Sequence, residues 1–333
     1  MDSTNFIVDS CKERVFGKEG RFYLMGVAIT IIVFLHFYTW FKGTRPWWIY
    51  FFSEGQIGVD LFLFLSAFGL EASFKKNGWK RFYINRAKRI LPVCILFLVT
   101  LFTIFQNDVP FQRIVIQFVG QLTGFSLFQP NEFFSTNFEF DWFTPALIIV
   151  YILFPILSGI LNRLLKKSII IEVLLLLFLI FISLVTLRFV HLPIKLLLYR
   201  APIIMLGAVT YIHLKKGEVN RLLTMYAVLF IAGLFSNQHW VLTSSTVPLF
   251  LTVYAMIQGN RPFYKLFTLF GRHSYEIYLA HIFPVTNFLM LKVFDNIYYH
   301  ILLTILWTII VASIYSLFQK YAMILFNNRL FKQ

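Results

Sequence analysis

Residues 22–41 read FYLMGVAITIIVFLHFYTWF, twenty residues without an aspartate, glutamate, lysine or arginine. About twenty mainly apolar residues cross the hydrocarbon core of a bilayer as an α-helix. The run follows a polar tail of mixed charge, residues 1–21, which lacks the pattern of a cleavable signal peptide. The sequence therefore predicts that residues 22–41 stay in the membrane as its first anchor.

The composition extends this prediction to the whole chain. Of its 333 residues, 59% are apolar and 14% are charged, whereas soluble domains have about 45–50% and 25%. This apolar content is enough for roughly ten crossings. We therefore expect an all-α, polytopic protein with one membrane domain over residues 1–333, and we exclude a water-soluble enzyme, a secreted disulfide scaffold and a disordered chain. Apolar runs begin near residues 22, 57, 90, 142, 168, 193, 222, 241, 274 and 298.

The net charge is +15, but the distribution of the basic residues is typical of a membrane protein rather than of a nucleic-acid-binding protein. A basic domain that binds nucleic acid gathers its charge on one face, but these lysines and arginines lie in short segments between apolar runs. The expected partner is the lipid bilayer, and no nucleic acid is expected. Cys11 and Cys94 give neither a metal-ligand spacing nor a disulfide framework, so no metal site is expected.

Whether residues 113–129 cross the membrane decides the orientation of everything after them. If they do not cross and the N-terminus is cytoplasmic, 23 lysines and arginines fall inside and 6 outside; if they cross, the split is 14 and 15. Cytoplasmic loops carry an excess of these residues. We therefore expect about ten spans, both termini in the cytoplasm, and an outer loop over residues 106–141 that holds an interfacial or re-entrant helix.

Ionisable side chains inside membrane helices are costly and are functional candidates by default. His36 and Asp60 have similar predicted depths in the first two spans. A carboxylate can fix the tautomer of a buried imidazole and hold its protonated form, so one hypothesis is that Asp60 orients His36. The alternative is that Asp60 pairs with Arg200, in the outer half of a later span. The other candidates of this kind are Glu71, Glu172 and His281.

Two further patterns each allow a functional and a structural interpretation. Ser274, Tyr278 and His281 are four and three residues apart and share one face of an apolar helix, where they could line a site or bond neighbouring helices. Arg86 and Arg89 share a helix face in the basic segment 75–92. They could clamp a phosphorylated cytosolic donor, or the whole segment could set the topology and bind anionic lipid headgroups.

Six stretches, in the same order along most of the chain, resemble the membrane-bound acyltransferase-3 family of bacterial O-acyltransferases. Each stretch is weak evidence by itself, whereas six in this order are specific. They are MGVAITIIVFLH (25–36), GVDLFLFLSAF (58–68), FYINRAKRILP (82–92), DWFTPAL (141–147), RAPIIMLG (200–207) and SYEIYLAH (274–281).

The resemblance implies transfer of an acyl group, with acetyl expected first, from cytosolic acyl-coenzyme A to a hydroxyl of a surface polysaccharide or lipid-linked sugar. It implies a multi-pass protein of the bacterial cell membrane, with acyl-coenzyme A as the donor substrate and no permanently bound cofactor. The expected catalytic residues are His36, as base or acyl relay, and Asp60, as its orienter. Substrate or oxyanion contacts are expected from Arg200, Ser274, Tyr278 and His281, and contacts to coenzyme A from Arg86, Arg89 and Arg21.

Two positions depart from the family pattern. Met25 stands where the family commonly has a basic residue, eleven residues before the histidine, so donor phosphates must be met by Arg21, Arg86 or Arg89. Ala67 replaces a glycine, which is a small-for-small change. A different function, export or flipping of a polysaccharide or lipid-linked glycan, stays open, although the sequence shows no inverted halves of the kind common in transporters.

Overall fold

The secondary-structure elements in the described part of the protein are all helices. The structure is a computed structural model, and no strand occurs within its described ranges. These ranges are residues 15–40, 46–105, 110–129, 141–166, 168–235, 245–248, 250–251, 254, 263–290 and 296–330.

The longer helices of these ranges follow the predicted apolar runs. The run that begins near residue 241 lies mostly outside the described residues. The helices are α1 (Lys18–Trp40), α2 (Gln56–Phe105), α3 (Phe111–Thr123), α4 (Phe143–Leu164), α5 (Ile169–Phe189), α6 (Ala201–Lys216), α7 (Val219–Phe235), α8 (Tyr264–Arg272), α9 (Ser274–Met290) and α10 (Ile297–Leu330).

Five helical stretches of the described chain are long and apolar enough to cross a membrane. The prediction of an all-α, polytopic membrane protein is therefore confirmed, while the count of ten spans and the cytoplasmic termini stay predictions. The five stretches are Lys18–Thr39, Trp47–Thr103, Phe143–Leu164, Ile169–Phe189 and Ile297–Phe326.

The basic segment 75–92 lies inside α2 and contains its one backbone break. Gly78 has φ 67° and ψ −178°, which lies outside the helical region and is a left-handed φ that glycine adopts without steric cost. The chain is helical before and after this residue. Arg86 and Arg89 therefore lie on regular helix, three residues apart, as their spacing predicts.

Helix α3 has its polar face turned inward. Gln117 and Gln121 are buried, whereas Phe111 and Val119 are 69% and 52% exposed. At ~1.5 Å per residue its 13 residues are too short to cross a bilayer. An exposed apolar face fits lipid surroundings, and the placement of α3 as a re-entrant or interfacial helix stays a prediction.

The chain clusters into two compact units, each built from three segments. His36, Asp60, Arg200, Arg21 and Ser274 belong to unit 1, and the remaining predicted site residues belong to unit 2. Unit 1 comprises Met1–Ala72, Ser158–Thr186 and Tyr199–Ser274, and unit 2 comprises Ser73–Leu157, Leu187–Leu198 and Tyr275–Gln333.

Glycines bring α1 and α8 together in unit 1. A Cβ at Gly26 would overlap the carbonyl oxygen of Phe267, and a Cβ at Gly271 would overlap that of Phe22. The two helix backbones are therefore in direct contact at these glycines. A close-packed interior of this kind has no room for an added methyl group. This contact fixes α1, the helix that carries His36.

Gly271→Ala should lower the thermal unfolding midpoint of the purified protein, because the new methyl group meets backbone. Overpacking of this kind costs about 1–3 kcal/mol. Gly159→Ala is the matched control, since a Cβ at Gly159 meets nothing within 4 Å and alanine favours helix. Midpoints of both variants are followed by intrinsic fluorescence in detergent. Equal midpoints in the two variants would contradict the α1–α8 packing.

Candidate functional site

Arg200 forms the charged centre of unit 1. It precedes the first residue of α6 and is only 1% exposed. Its Nε donates a hydrogen bond to Oδ1 of Asp60 at 2.8 Å, and its Nη2 donates to Oε1 of Gln56 at 2.5 Å. The guanidinium carbon lies 4.4 Å from the centre of the Tyr199 ring. A buried charge is tolerated when it is paired and hydrogen-bonded in this way, so Arg200 is held as a fixed cation.

Close packing of α6 on α2 brings Arg200 to Asp60. A Cβ at Gly207, two turns after Arg200, would overlap the carbonyl oxygen of Phe64 and would lie 2.9 Å from the Cβ of Ala67. Gly207 therefore lets the two helices touch one to two turns along from the ion pair. Ala67 is the position at which the sequence departs from the glycine of the family pattern that it resembles, and the facing Gly207 leaves room for its methyl group.

The structure contains the Asp60–Arg200 pair, which was one of the two alternatives for Asp60. His36 lies near the end of α1 and is partly buried. The orientation of His36 by Asp60 stays a hypothesis. What the structure shows for Asp60 is its ion pair with Arg200. The pair joins residues 140 positions apart in the sequence.

Asp60→Leu or Arg200→Leu should each lower stability by about 3–5 kcal/mol, because each leaves one buried charge unpaired. The double variant should recover much of this loss, since neither charge then remains. The control is Glu19→Gln, which breaks the exposed pair between Glu19 and Arg272 and should change stability by about 0–1 kcal/mol. Unfolding midpoints of all four variants measure the coupling; strictly additive losses would show that the two side chains act independently.

Two other predicted site residues of unit 1 are the half-buried Arg21 and the buried Ser274. The guanidinium of Arg21 lies over Gly69 of α2, and its carbon lies 5.6 Å from the centre of the Phe68 ring. Ser274 begins α9 and is fully buried. Within the part of the chain that the structure describes, its Oγ makes no hydrogen bond. Arg21 is thus anchored near the start of α1, and Ser274 presents a buried hydroxyl.

Glu172 belongs to a buried network whose central histidine the sequence analysis missed. His213 contacts Oε2 of Glu172 at 3.0 Å through Nε2 and Oε2 of Glu218 at 2.7 Å through Nδ1. Arg221 donates to Oε1 of Glu172 at 3.3 Å. Burial acts to raise the pKa of Glu218, but the hydrogen bond with His213 and the charges of Lys216, His213 and Arg221 outweigh it and lower that pKa. The network ties α5, α6 and α7 together, which is a structural role.

Glu71, the remaining carboxylate among the candidates of unit 1, is also fully buried. Its Oε1 accepts a hydrogen bond from Nδ2 of Asn162 at 3.1 Å. It therefore links α2 to the end of α4 within unit 1.

In unit 2, Arg86 is held in place and Arg89 is open to its surroundings. Nη2 of Arg86 lies 3.4 Å from Oγ of Ser73, and its guanidinium carbon lies 5.8 Å from the ring centres of Phe82 and Tyr151. Arg89, one helical turn further on, is exposed. The arrangement gives one oriented cation and one adaptable cation, which suits recognition of an anion with several oxygens.

Asp141 is a buried carboxylate that sequence reasoning did not assign to the site. Its Oδ1 accepts hydrogen bonds from the backbone N–H groups of Phe143 and Thr144, both at 2.9 Å, and from the hydroxyl of Tyr278 at 3.0 Å. Burial raises the pKa of this carboxyl, and these hydrogen bonds oppose the rise. The available signal was an aspartate directly before an apolar run, which is a preferred helix N-cap.

Tyr278 and His281, two residues of the polar face predicted on α9, lie in unit 2. The rings of Tyr278 and His281 lie 5.7 Å apart, and Nδ1 of His281 lies 3.1 Å from the carbonyl oxygen of Ile277. Tyr275, on the same helix, has its hydroxyl 3.2 Å from Oγ1 of Thr144. These tyrosine contacts bond α9 to the start of α4, and the site-lining role of the polar face stays a prediction.

Buried cations and carboxylates within the apolar helices of a membrane protein are functional candidates by default. The family model for the acyltransferase-3 domain, described as an acyltransferase domain, matches residues 23–318. The chain therefore belongs to this family, and it is a membrane acyltransferase. Comparisons with curated proteins and with solved structures each give no match.

Proposed function

We propose that the protein transfers an acyl group, in the first instance acetyl, from cytosolic acyl-coenzyme A to a hydroxyl of a surface polysaccharide or lipid-linked sugar. The cell membrane of a bacterium is its proposed location. The observation that carries the proposal is the acyltransferase match over residues 23–318, which includes His36, Asp60 and Arg200. The buried, fixed charge of Arg200 in the same region supports it.

The proposed chemistry begins with His36 as general base. An alcohol attacks a thioester slowly unless a base takes its proton. As the hydroxyl oxygen bonds to the thioester carbonyl carbon, its proton passes to His36 and negative charge develops on the carbonyl oxygen. When the C–S bond breaks, the proton on the imidazole neutralises the leaving coenzyme A thiolate. His36 as acyl relay is the variant of this scheme in which the imidazole carries the acyl group between donor and acceptor.

Arg200 is the proposed partner of the developing oxyanion or of the substrate. A donor that is already oriented costs no reorganisation during the reaction. Asp60, Gln56 and Tyr199 provide that orientation. Tyr278, Ser274 and His281 are proposed as further substrate contacts.

Arg86, Arg89 and Arg21 are proposed to bind the phosphates of the donor. Met25 cannot supply the charge that the family commonly has at its position. Arg86 is already oriented by two aromatic rings and Ser73, so less side-chain freedom is lost when it binds an anion.

The proposed function is tested with purified protein in proteoliposomes, radiolabelled acetyl-coenzyme A and glycolipid extracted from the source membranes. Label in the glycolipid that mild base releases as acetate is the expected result. Movement of unmodified glycolipid across the bilayer without transfer of label from any acyl-coenzyme A would favour an exporter or flippase and contradict the proposal.

His36→Ala should reduce acyl transfer by ~10²–10⁴-fold, the usual contribution of a general base, while the protein remains in the membrane. His191→Ala is the control, since His191 is exposed and has no proposed part in the chemistry. Initial rates of label transfer are compared at equal amounts of membrane protein. Full activity in His36→Ala would remove this residue from the mechanism.

Arg86→Ala should raise the KM for acyl-coenzyme A more than it lowers kcat. Loss of one charge-assisted hydrogen bond corresponds to roughly 10–100-fold in affinity. Arg81→Ala, an exposed arginine of the same segment, serves as the control for a general loss of positive charge. An equal rise of KM in both variants would indicate non-specific attraction rather than a clamp.

A further inference from the structure

A tight helical hairpin lies in unit 2 at the break in α2. Gly78 combines φ 67° with ψ −178°, a backbone region that essentially only glycine adopts. Nη2 of Arg86 lies 3.4 Å from Oγ of Ser73, although the 13 positions between these residues would span ~20 Å in a straight helix. The chain therefore folds back at Gly78.

Aromatic side chains and α4 hold this hairpin in place. The rings of Phe74 and Phe82, one on each arm, lie 5.5 Å apart. The ring of Phe82 also stacks on that of Phe154 of α4 at 6.1 Å. The hydroxyl of Tyr83 donates a hydrogen bond to the carbonyl oxygen of Ile152 at 2.9 Å. The position of the hairpin against α4 is thus fixed by packing and by a hydrogen bond.

The turn of the hairpin carries concentrated positive charge. Segment 75–92 contains no aspartate or glutamate. The proposed donor contacts use Arg86 and Arg89, further along the second arm. Like charges this close together repel one another, and an anionic partner relieves that repulsion. The exposed basic residues around the turn are Lys75, Lys76, Lys80 and Arg81.

Trp79 indicates that this partner is a membrane surface. Its side chain is 53% exposed, next to the basic residues, and its ring lies 5.5 Å from that of Phe74. Tryptophan is enriched at the boundary between membrane and water. The part of α2 before Gly78, residues 56–77, is ~33 Å long at ~1.5 Å per residue, which matches a hydrocarbon core of about 30 Å. The turn therefore lies at the depth of the lipid headgroups when this arm crosses the bilayer.

We propose that the hairpin tip, defined as residues 75–81, binds the phosphate groups of anionic phospholipids, with the Trp79 ring between headgroups and acyl chains. Each basic residue near such a surface favours it by roughly fivefold. The predicted topology puts the tip at the cytoplasmic face of the membrane. The inference goes beyond the proposed function, since binding of lipid at the tip requires no acyl transfer.

The test measures which lipids surround Trp79. The protein is reconstituted into vesicles of one mixture of phosphatidylcholine and phosphatidylglycerol, with brominated acyl chains on either the first or the second lipid. Bromine quenches tryptophan fluorescence at short range, and subtraction of the Trp79→Phe signal isolates Trp79. Phosphatidylglycerol should be preferred around Trp79 by roughly fivefold, and less so at high salt, which screens exposed charges. No preference between the two lipids would overturn the proposal.

Two variants of equal net charge show whether the tip itself makes this choice. The tip variant should lose the preference for phosphatidylglycerol, and the control variant should keep it. All six side chains are exposed, so the unfolding midpoints should change little. The same preference in both variants, or its loss in both, would overturn the proposal. The tip variant is Lys76→Gln/Lys80→Gln/Arg81→Gln, and the control variant is Lys215→Gln/Lys265→Gln/Lys320→Gln.

A titration with acetyl-coenzyme A distinguishes lipid from donor at the tip. The Trp79 signal is followed in vesicles of phosphatidylcholine alone. The expected result is no saturable change, or one that the tip variant keeps, because the donor phosphates are assigned to Arg86 and Arg89. A saturable change that the tip variant loses would assign the tip to the donor and overturn the proposal. Neither measurement needs acyl transfer, so a preparation that transfers no label would count only against the proposed function.

Discussion

A guanidinium buried among apolar helices must have its charge and its donors met, and Arg200 meets this condition through Asp60, Gln56 and Tyr199. Two of these partners lie on α2, and Arg200 itself immediately precedes α6. The ion pair therefore requires one register between the two helices, and Gly207 allows them to approach closely enough to adopt it. The result is a cation that is fixed before any substrate arrives, which is the condition under which a charge lowers a reaction barrier.

Composition predicts the class of this fold because each span must be apolar over about twenty residues. The distribution of lysine and arginine adds a predicted orientation. Spacing within a helix gives the depth and face of a residue, but it does not show which other helix that face meets. For this reason Asp60 kept two possible partners in the sequence, His36 and Arg200, and the structure shows the second pairing.

The residues that sequence reasoning missed share one property: each has a partner that is distant in the chain. Asp141 looks like a loop residue before an apolar run, and its contact with Tyr278 spans 137 positions. His213 lies in the last turn of α6, and its contact with Glu172 spans 41 positions. The inward face of α3 is similar, because an amphipathic pattern alone does not show which face lipid covers. In a membrane protein the polar face is the inner one, and in α3 that face carries Gln117 and Gln121.

The most direct test of acyl transfer to a glycan is mass spectrometry of the surface glycan from cells that carry the wild-type chain or its His36→Ala variant. The account predicts ester-linked acyl groups on the glycan in the first case and their loss in the second, at equal amounts of protein in the membrane. The same acylation in both strains, or none in either, would contradict it.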